Sequence, residues 1–330
     1  MRFLKRRLDT PARPAGWPIP QWYYLDIGNV CNLRCPYCPT GNGATPESQK
    51  GLMSRESFDR ILPQLEKHAR FVCLFNWGEP WVNKHLLYMV RALADRGIDT
   101  HLDSNLSVRD FSDRDAEAVV RSGLFSLFAS IDGVSQAAYE KYRVGGRVDR
   151  ALGNLRQLVE ARRRLGSETP GLIWAFYLNR HNEHEIDEAR ALAEEIGVEI
   201  WFKLLSAPEE FQTRFAREQG PVLAVPASLR RWHPNPVAPG LESLQLHPML
   251  ASVCRQPFTV GVIQWNGDVF PCCAVAGDEF KLGNVLEQTF EEVWNDAPLS
   301  ACRSFLKNFG PVQGGGSVCE VVCTAVPSHA

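Results

Sequence analysis

Cys31-Asn32-Leu33-Arg34-Cys35-Pro36-Tyr37-Cys38 decides most of what this chain can be. Three cysteines fall within a single short run, directly after the strand-like stretch Trp22-Tyr23-Tyr24-Leu25-Asp26-Ile27. Three thiolates can hold three irons of a [4Fe–4S] cube, whereas a closed site needs a fourth cysteine. The fourth iron is then open to a ligand that is not protein. The rival is a zinc site of three cysteines and one histidine. Such a site places its histidine close by, and none follows before His68.

The rest of the composition agrees with a metal-binding reading of these thiols. Ten cysteines among 330 residues fall well short of the ~8–10% of a disulfide scaffold, and they cluster with ligand spacing. The chain is 45% hydrophobic and 22% charged, with a net charge of −2, which gives no support to electrostatic binding of nucleic acid. Arg162-Arg163-Arg164 reads as the solvated face of a helix. Arg2, Lys5, Arg6 and Arg7 open the chain without the apolar stretch of a signal peptide. No run approaches the ~18 apolar residues of a membrane span. A soluble, cytoplasmic protein is expected.

From Trp22 onward, short apolar runs alternate with amphipathic stretches, the pattern of βα units around a parallel sheet. Strands are predicted over 22–28, 71–77, 98–104, 124–131, 172–178 and 198–205. Leu152, Leu155, Leu158, Val159 and Leu165 recur at helical spacing, with Gly166 as the stop. Phe58, Ile61, Leu62 and Leu65 do the same, although Pro63 is expected to kink or shorten that helix. Six βα units cannot close an eight-stranded barrel, so a partial (βα)6 barrel is the economical fold. The division expected is an N-terminal arm over 1–21, the barrel over 22–205, a Pro-rich connector or lid over 206–250 and a small domain over 251–330.

The CxxxCxxC run, with aromatic Tyr37 before its last cysteine, resembles the radical S-adenosylmethionine (radical SAM) enzymes, whose fold is this same partial barrel. The resemblance implies that Cys31, Cys35 and Cys38 carry a [4Fe–4S] cluster whose open iron binds the methionine end of SAM. Further motifs fall at strand ends, where βα barrels keep their catalytic residues. Asn76-Trp77-Gly78-Glu79-Pro80 resembles the family's GGEP motif, which holds the SAM amino group; Trp77 stands where the first glycine would be. Ser104-Asn105 ends the third strand and Ser130-Ile131-Asp132-Gly133 the fourth, followed by Tyr142-Arg143. By resemblance Ser104, Asn105 and Ser130 would face the ribose. Arg143 would pair with the SAM carboxylate, a role suited to a guanidinium fork.

A second constellation is C-terminal. Asn266-Gly267 between apolar runs is a two-residue hairpin signal, which puts Cys272 on the returning strand. The spacing Cys254-x12-Gly267-x4-Cys272 with the closing pair Cys319-x3-Cys323 resembles the auxiliary-cluster motif of the SPASM and twitch subgroups. Sixteen residues separate Cys302 from Cys319, so the longer cysteine block of a two-cluster SPASM domain is missing. One auxiliary [4Fe–4S] cluster on Cys254, Cys272, Cys319 and Cys323 is the better fit, in a twitch-like domain. A zinc site on the same four cysteines has compatible spacing, and Cys302 is a possible substitute ligand.

Implied by the resemblance is a 5′-deoxyadenosyl radical that removes a hydrogen atom from a substrate carbon. An external one-electron reductant of flavodoxin or ferredoxin type would feed the cluster. The sequence style favours a small-molecule substrate (a sugar, aminoglycoside or nucleoside) and epimerisation or dehydrogenation. The alternatives are radical modification of a peptide or protein and a non-enzymatic zinc-structured binding module. Alternation along the returning strand would turn Cys273 away from Cys272, making Cys273 a candidate hydrogen donor, with Cys302 and Cys73 in reserve.

Overall fold

The computed structural model describes residues 17–204, 256–275 and 277–308. Six strands come first: β1 (Trp22–Leu25), β2 (Phe71–Cys73), β3 (Asp99–Ser104), β4 (Ser126–Ser130), β5 (Gly171–Leu178) and β6 (Glu199–Leu204). They pair in parallel and in chain order. All six expected strands are present, but β1 and β2 stop several residues early. Their expected tails leave the ladder: Gly28 makes an isolated antiparallel bridge to Leu52, and the chain bends at Trp77-Gly78, where the site is built.

Helices α1 (Arg55–His68), α2 (Leu86–Ala94), α3 (Asp113–Arg121), α4 (Gln136–Tyr142), α5 (Val148–Arg164) and α6 (Ile186–Ile196) connect the strands. Ser54 caps α1 by accepting from the Ser57 amide, and Phe58, Ile61, Leu62 and Leu65 form its buried stripe. Pro63 neither ends nor shortens α1. It sits on the exposed side, as does Asp59 four residues earlier, so the carbonyl deprived of its donor faces water. α5 ends as expected, with Gly166 in the left-handed region at φ +58°.

Each strand has two unlike faces. Tyr23, Leu25, Val72, Leu102, Leu127, Trp174 and Phe176 join the helices in the main core. Trp22, Phe71 and Cys73 point the other way, as do Phe128, Ile173 and Ala175. That second face is concave. Tyr24 on β1 interacts electrostatically with Tyr177 on β5, although four strand spacings of about 4.8 Å would hold them roughly 19 Å apart in a flat sheet. The sheet therefore curls into a partial barrel with these residues inside.

The C-terminal part extends the same sheet. After α7 (Gln256–Thr259), strand β7 (Val260–Ile263) pairs in parallel with the free edge of β1. The expected hairpin follows: Gly267 turns at φ +87°, and β8 (Asp268–Phe270) returns antiparallel to β7. β9 (Gly283–Asn284), α8 (Phe290–Asn295) and α9 (Ala297–Asn308) complete it. Cys272 is not on the returning strand, because Pro271 follows directly on the last residue of β8 and cannot donate to the ladder. Strand alternation consequently does not separate Cys272 from Cys273, and both pack against the patch of Val260, Val262, Phe270 and Val275. Among the described residues, no helix is long and apolar enough to cross a membrane. The expected connector over 206–250 and Cys254, Cys319 and Cys323 lie outside the described residues.

Candidate active site

The run from Cys31 to Cys38 forms a tight loop beyond β1. Cys38 N donates to Cys35 O (3.2 Å) and Asn42 N to Cys38 O (2.8 Å). Gly41 lies so close that a Cβ there would stand 2.5 Å from the Cys35 nitrogen. Two neighbours tie the loop down: Arg34 N donates to Val144 O (2.9 Å), and Glu79 N donates to Val30 O (2.9 Å). The GEP turn is seated on the same ground. A Cβ on Gly78 would stand 1.8 Å from Gly28 O, so only glycine fits there. Trp77 is accommodated at the preceding position, its amide donating to Asp26 Oδ2 at 3.2 Å.

Glu79 organises the ends of two strands. Its Oε1 accepts from Ser104 Oγ (2.8 Å) and Trp81 N (3.2 Å), and its Oε2 accepts from Asn105 N (2.8 Å). Burial pushes the Glu79 carboxyl up to about 7, against the pull of these donors and of Arg143. Asn105 Nδ2 in turn approaches Cys31 Sγ at 3.7 Å, and Leu33 N approaches it at 3.4 Å. Arg143 donates from Nε to the buried Asp132 Oδ2 at 2.6 Å, with one terminal nitrogen 4.0 Å from Cys35 Sγ. Burial alone would lower the Arg143 pKa, but Asp132 and Cys35 reverse that and hold the cation firmly charged.

These groups share one cavity of about 320 Å³. Cys31, Cys35 and Cys38 line it together with Gly78, Glu79, Ser104, Asn105, Ser130 and Arg143. Of the remaining residues singled out for SAM, Tyr37 packs beside the three thiols and Pro80 begins a buried turn, and neither lines the cavity. Cys302 is fully buried in the main core and Cys73 lies against Trp22, whose Nε1 donates to its sulfur at 3.2 Å. Neither of these lines the cavity. Among the described residues, no three His, Cys, Asp or Glu side chains are grouped for a single metal ion.

Sequence reasoning overlooked the polar residues of the inner face. Asp103 and Tyr177 line the same cavity. His101 bridges Asp103 Oδ1 (Nε2, 3.0 Å) and Ser126 Oγ (Nδ1, 2.8 Å), and Lys203 approaches the Tyr177 hydroxyl at 3.5 Å. The signal was available: these are polar residues at alternate positions of strands whose parallel neighbours are apolar on both faces.

A family model of the radical SAM superfamily matches residues 25–196. The chain belongs to the radical SAM superfamily. A second model, an iron–sulfur cluster-binding SPASM domain, matches residues 254–323. The chain is 23% identical, over 88% of its length and 85% of the relative's, to a tungsten-containing aldehyde ferredoxin oxidoreductase cofactor-modifying protein of Pyrococcus furiosus. In fold it is similar to Streptococcus suis SuiB bound to S-adenosylmethionine, with a TM-score of 0.63, 17% identity, and 87% and 68% of the two chains covered. It is also similar to BtrN in complex with AdoMet and 2-DOIA, with a TM-score of 0.51, 14% identity and 88% of each chain covered.

This radical SAM enzyme therefore works with SAM, a SAM-binding [4Fe–4S] cluster and auxiliary cluster chemistry. The residues around the cavity fit the first two. Burial pushes the Cys31 thiol up to about 12, so the charge of bound iron is what would hold it as a thiolate. The amides aimed at its sulfur are the contacts that tune such clusters. A carboxylate, hydroxyls and a guanidinium stand around the same cavity, matching an amino acid joined to a nucleoside.

Proposed function

We propose that this radical SAM enzyme abstracts a hydrogen atom from a carbinol or sugar carbon of a small polar substrate (a sugar, aminoglycoside or nucleoside), leading to epimerisation or dehydrogenation. The observation that carries the reading is the single cavity. The three thiols and the Glu79, Ser104, Asn105 and Arg143 set share it with Asp103 and Tyr177 of the barrel interior. A small molecule held at Asp103 would thus stand next to the SAM-sized end of the cavity. A relative matched along most of both chains is named a cofactor-modifying protein, in keeping with a small-molecule target.

In this reading Cys31, Cys35 and Cys38 hold the SAM cluster, and Cys254, Cys272, Cys319 and Cys323 hold one auxiliary cluster. When bound, the reduced cluster and SAM supply a 5′-deoxyadenosyl radical. The chain's own residues position and shield. Arg143, braced by Asp132, receives the SAM carboxylate; Glu79 fixes Ser104 and Asn105 and accepts from the SAM ammonium; the aromatic inner face excludes water. A flavodoxin- or ferredoxin-type protein delivers the electron.

Replacing Cys31, Cys35 and Cys38 by alanine tests the reading. Reductive formation of 5′-deoxyadenosine from SAM should vanish in each single variant, because among the described residues no other thiol lines the cavity. Persistent cleavage by the triple variant would sink it.

A further inference from the structure

The barrel interior holds two opposite charges that sense one another without touching. Lys203 on β6 interacts electrostatically with Asp103 on β3, and with Asp132, which is itself paired with Arg143, yet among the described residues Lys203 has no carboxylate within ion-pair distance. Its ammonium is instead boxed by ring faces: Trp201 at 3.7 Å, Tyr177 at 5.3 Å and Phe128 at 5.7 Å from the ring centroids. Aromatic faces offset only part of what a largely buried cation loses by leaving water. Among the described residues its hydrogen bond is to the Tyr177 hydroxyl, and at 3.5 Å it is long.

Asp103 is prepared differently. His101, 2% exposed, bonds it at 3.0 Å and is itself anchored at 2.8 Å to fully buried Ser126. That chain fixes one carboxylate oxygen and leaves the side chain 27% exposed at the cavity wall. Tyr177 lines the same wall and leads from Asp103 to Lys203. A fixed acceptor and an under-partnered cation thus stand apart across one interior, both on rigid strands.

We propose that Asp103 and Lys203 form a two-ended substrate cradle, Asp103 accepting from a hydroxyl and Lys203 binding an anionic group of the same polyhydroxylated molecule, a phosphate or a carboxylate. This rests on the small-polar-substrate reading above and narrows it to charged substrates. The two contacts fix both position and orientation, as abstraction at one carbon demands. An ammonium serves phosphate as a point charge, so either anion satisfies it.

The test is calorimetric titration of the cluster-loaded enzyme in saturating SAM, which fills the Arg143 site. The probes are glucose 6-phosphate, gluconate and glucose. The wild type should bind at least one charged probe ten times or more tighter than glucose, and which one it is separates phosphate from carboxylate. K203Q should erase that preference, K203R should keep it, and D103N should weaken all the sugars alike; iron–sulfur absorbance checks that each variant is assembled. A wild type indifferent to probe charge, or binding none of the three, overturns the cradle without needing any variant, and so does a K203Q that retains the preference. The radical reaction fails separately: a wild type that forms no 5′-deoxyadenosine overturns that reading and leaves the titration standing.

Discussion

In the proposed reaction, Cys273 is the candidate hydrogen donor. It lies just beyond β8, against Val260, Val262 and Phe270, and it interacts electrostatically with Tyr24 and Cys73 of the inner face. Burial raises the Cys73 thiol well above its ordinary range and shuts it into a hydrophobic cluster, and Cys302 is sealed in the outer core. Cys273 is only partly buried, although it too stands outside the lining of the cavity; we propose it as the donor because an S–H bond gives up its hydrogen readily. A donor of this kind exchanges its proton with solvent, so the inverted product made in deuterated water should carry deuterium. Cys273→Ala should still form 5′-deoxyadenosine while losing the inverted product. Unchanged inverted product from that variant removes the donor role from Cys273, whereas an oxidised product already made by the wild type makes dehydrogenation the outcome.

At the scale of elements, the turn that follows β2 depends on a carboxylate that follows β1. Asp26 is fully buried; the Trp77 amide donates to its Oδ2 at 3.2 Å, and the nearby amides of Gly28, Asn76 and Gly78 also favour its charged form. Burial outweighs them and lifts its carboxyl to about 7. The folded state then holds a proton that the unfolded chain releases near its ordinary value of 3.8. Stability from this group is present at low pH and is lost as pH rises through about 7. Asp26→Asn keeps the shape and removes the titration. Across pH 5 to 8, wild type should therefore lose stability relative to this variant, by on the order of 1–3 kcal/mol. Anaerobic thermal melts of both proteins check this, and a difference constant with pH would refute it. That Asp26 holds the turn was not legible in the sequence, where it reads as one polar residue in a strand run. The strands, the α5 stop at Gly166 and the Asn266-Gly267 hairpin were legible, because local periodicity and turn chemistry decide them. The alternating His101 and Asp103 of β3 were also legible, but their meeting with Lys203 was not, since it exists only once β3 and β6 curl toward each other.

Across the whole molecule, β1 joins the two halves of the chemistry. One edge pairs with β2 and the barrel, the other with β7, and the chain leaving its end becomes the loop of Cys31, Cys35 and Cys38. Cys272, a proposed ligand of the auxiliary cluster, follows the hairpin that β7 begins, so the strand that leads to Cys31, Cys35 and Cys38 also pairs with the hairpin before Cys272. In the proposed assignment the two clusters share no cysteine. Iron content should therefore come apart in two independent portions. The reconstituted wild type should hold about eight irons, as two four-iron cubes require. Replacing Cys254, Cys272, Cys319 and Cys323 together should leave about four, with the absorbance of the remaining cluster still bleached by dithionite. Replacing Cys31, Cys35 and Cys38 should leave the other four and abolish SAM cleavage. A wild type with only about four irons and one zinc would make the C-terminal site a structural zinc site instead.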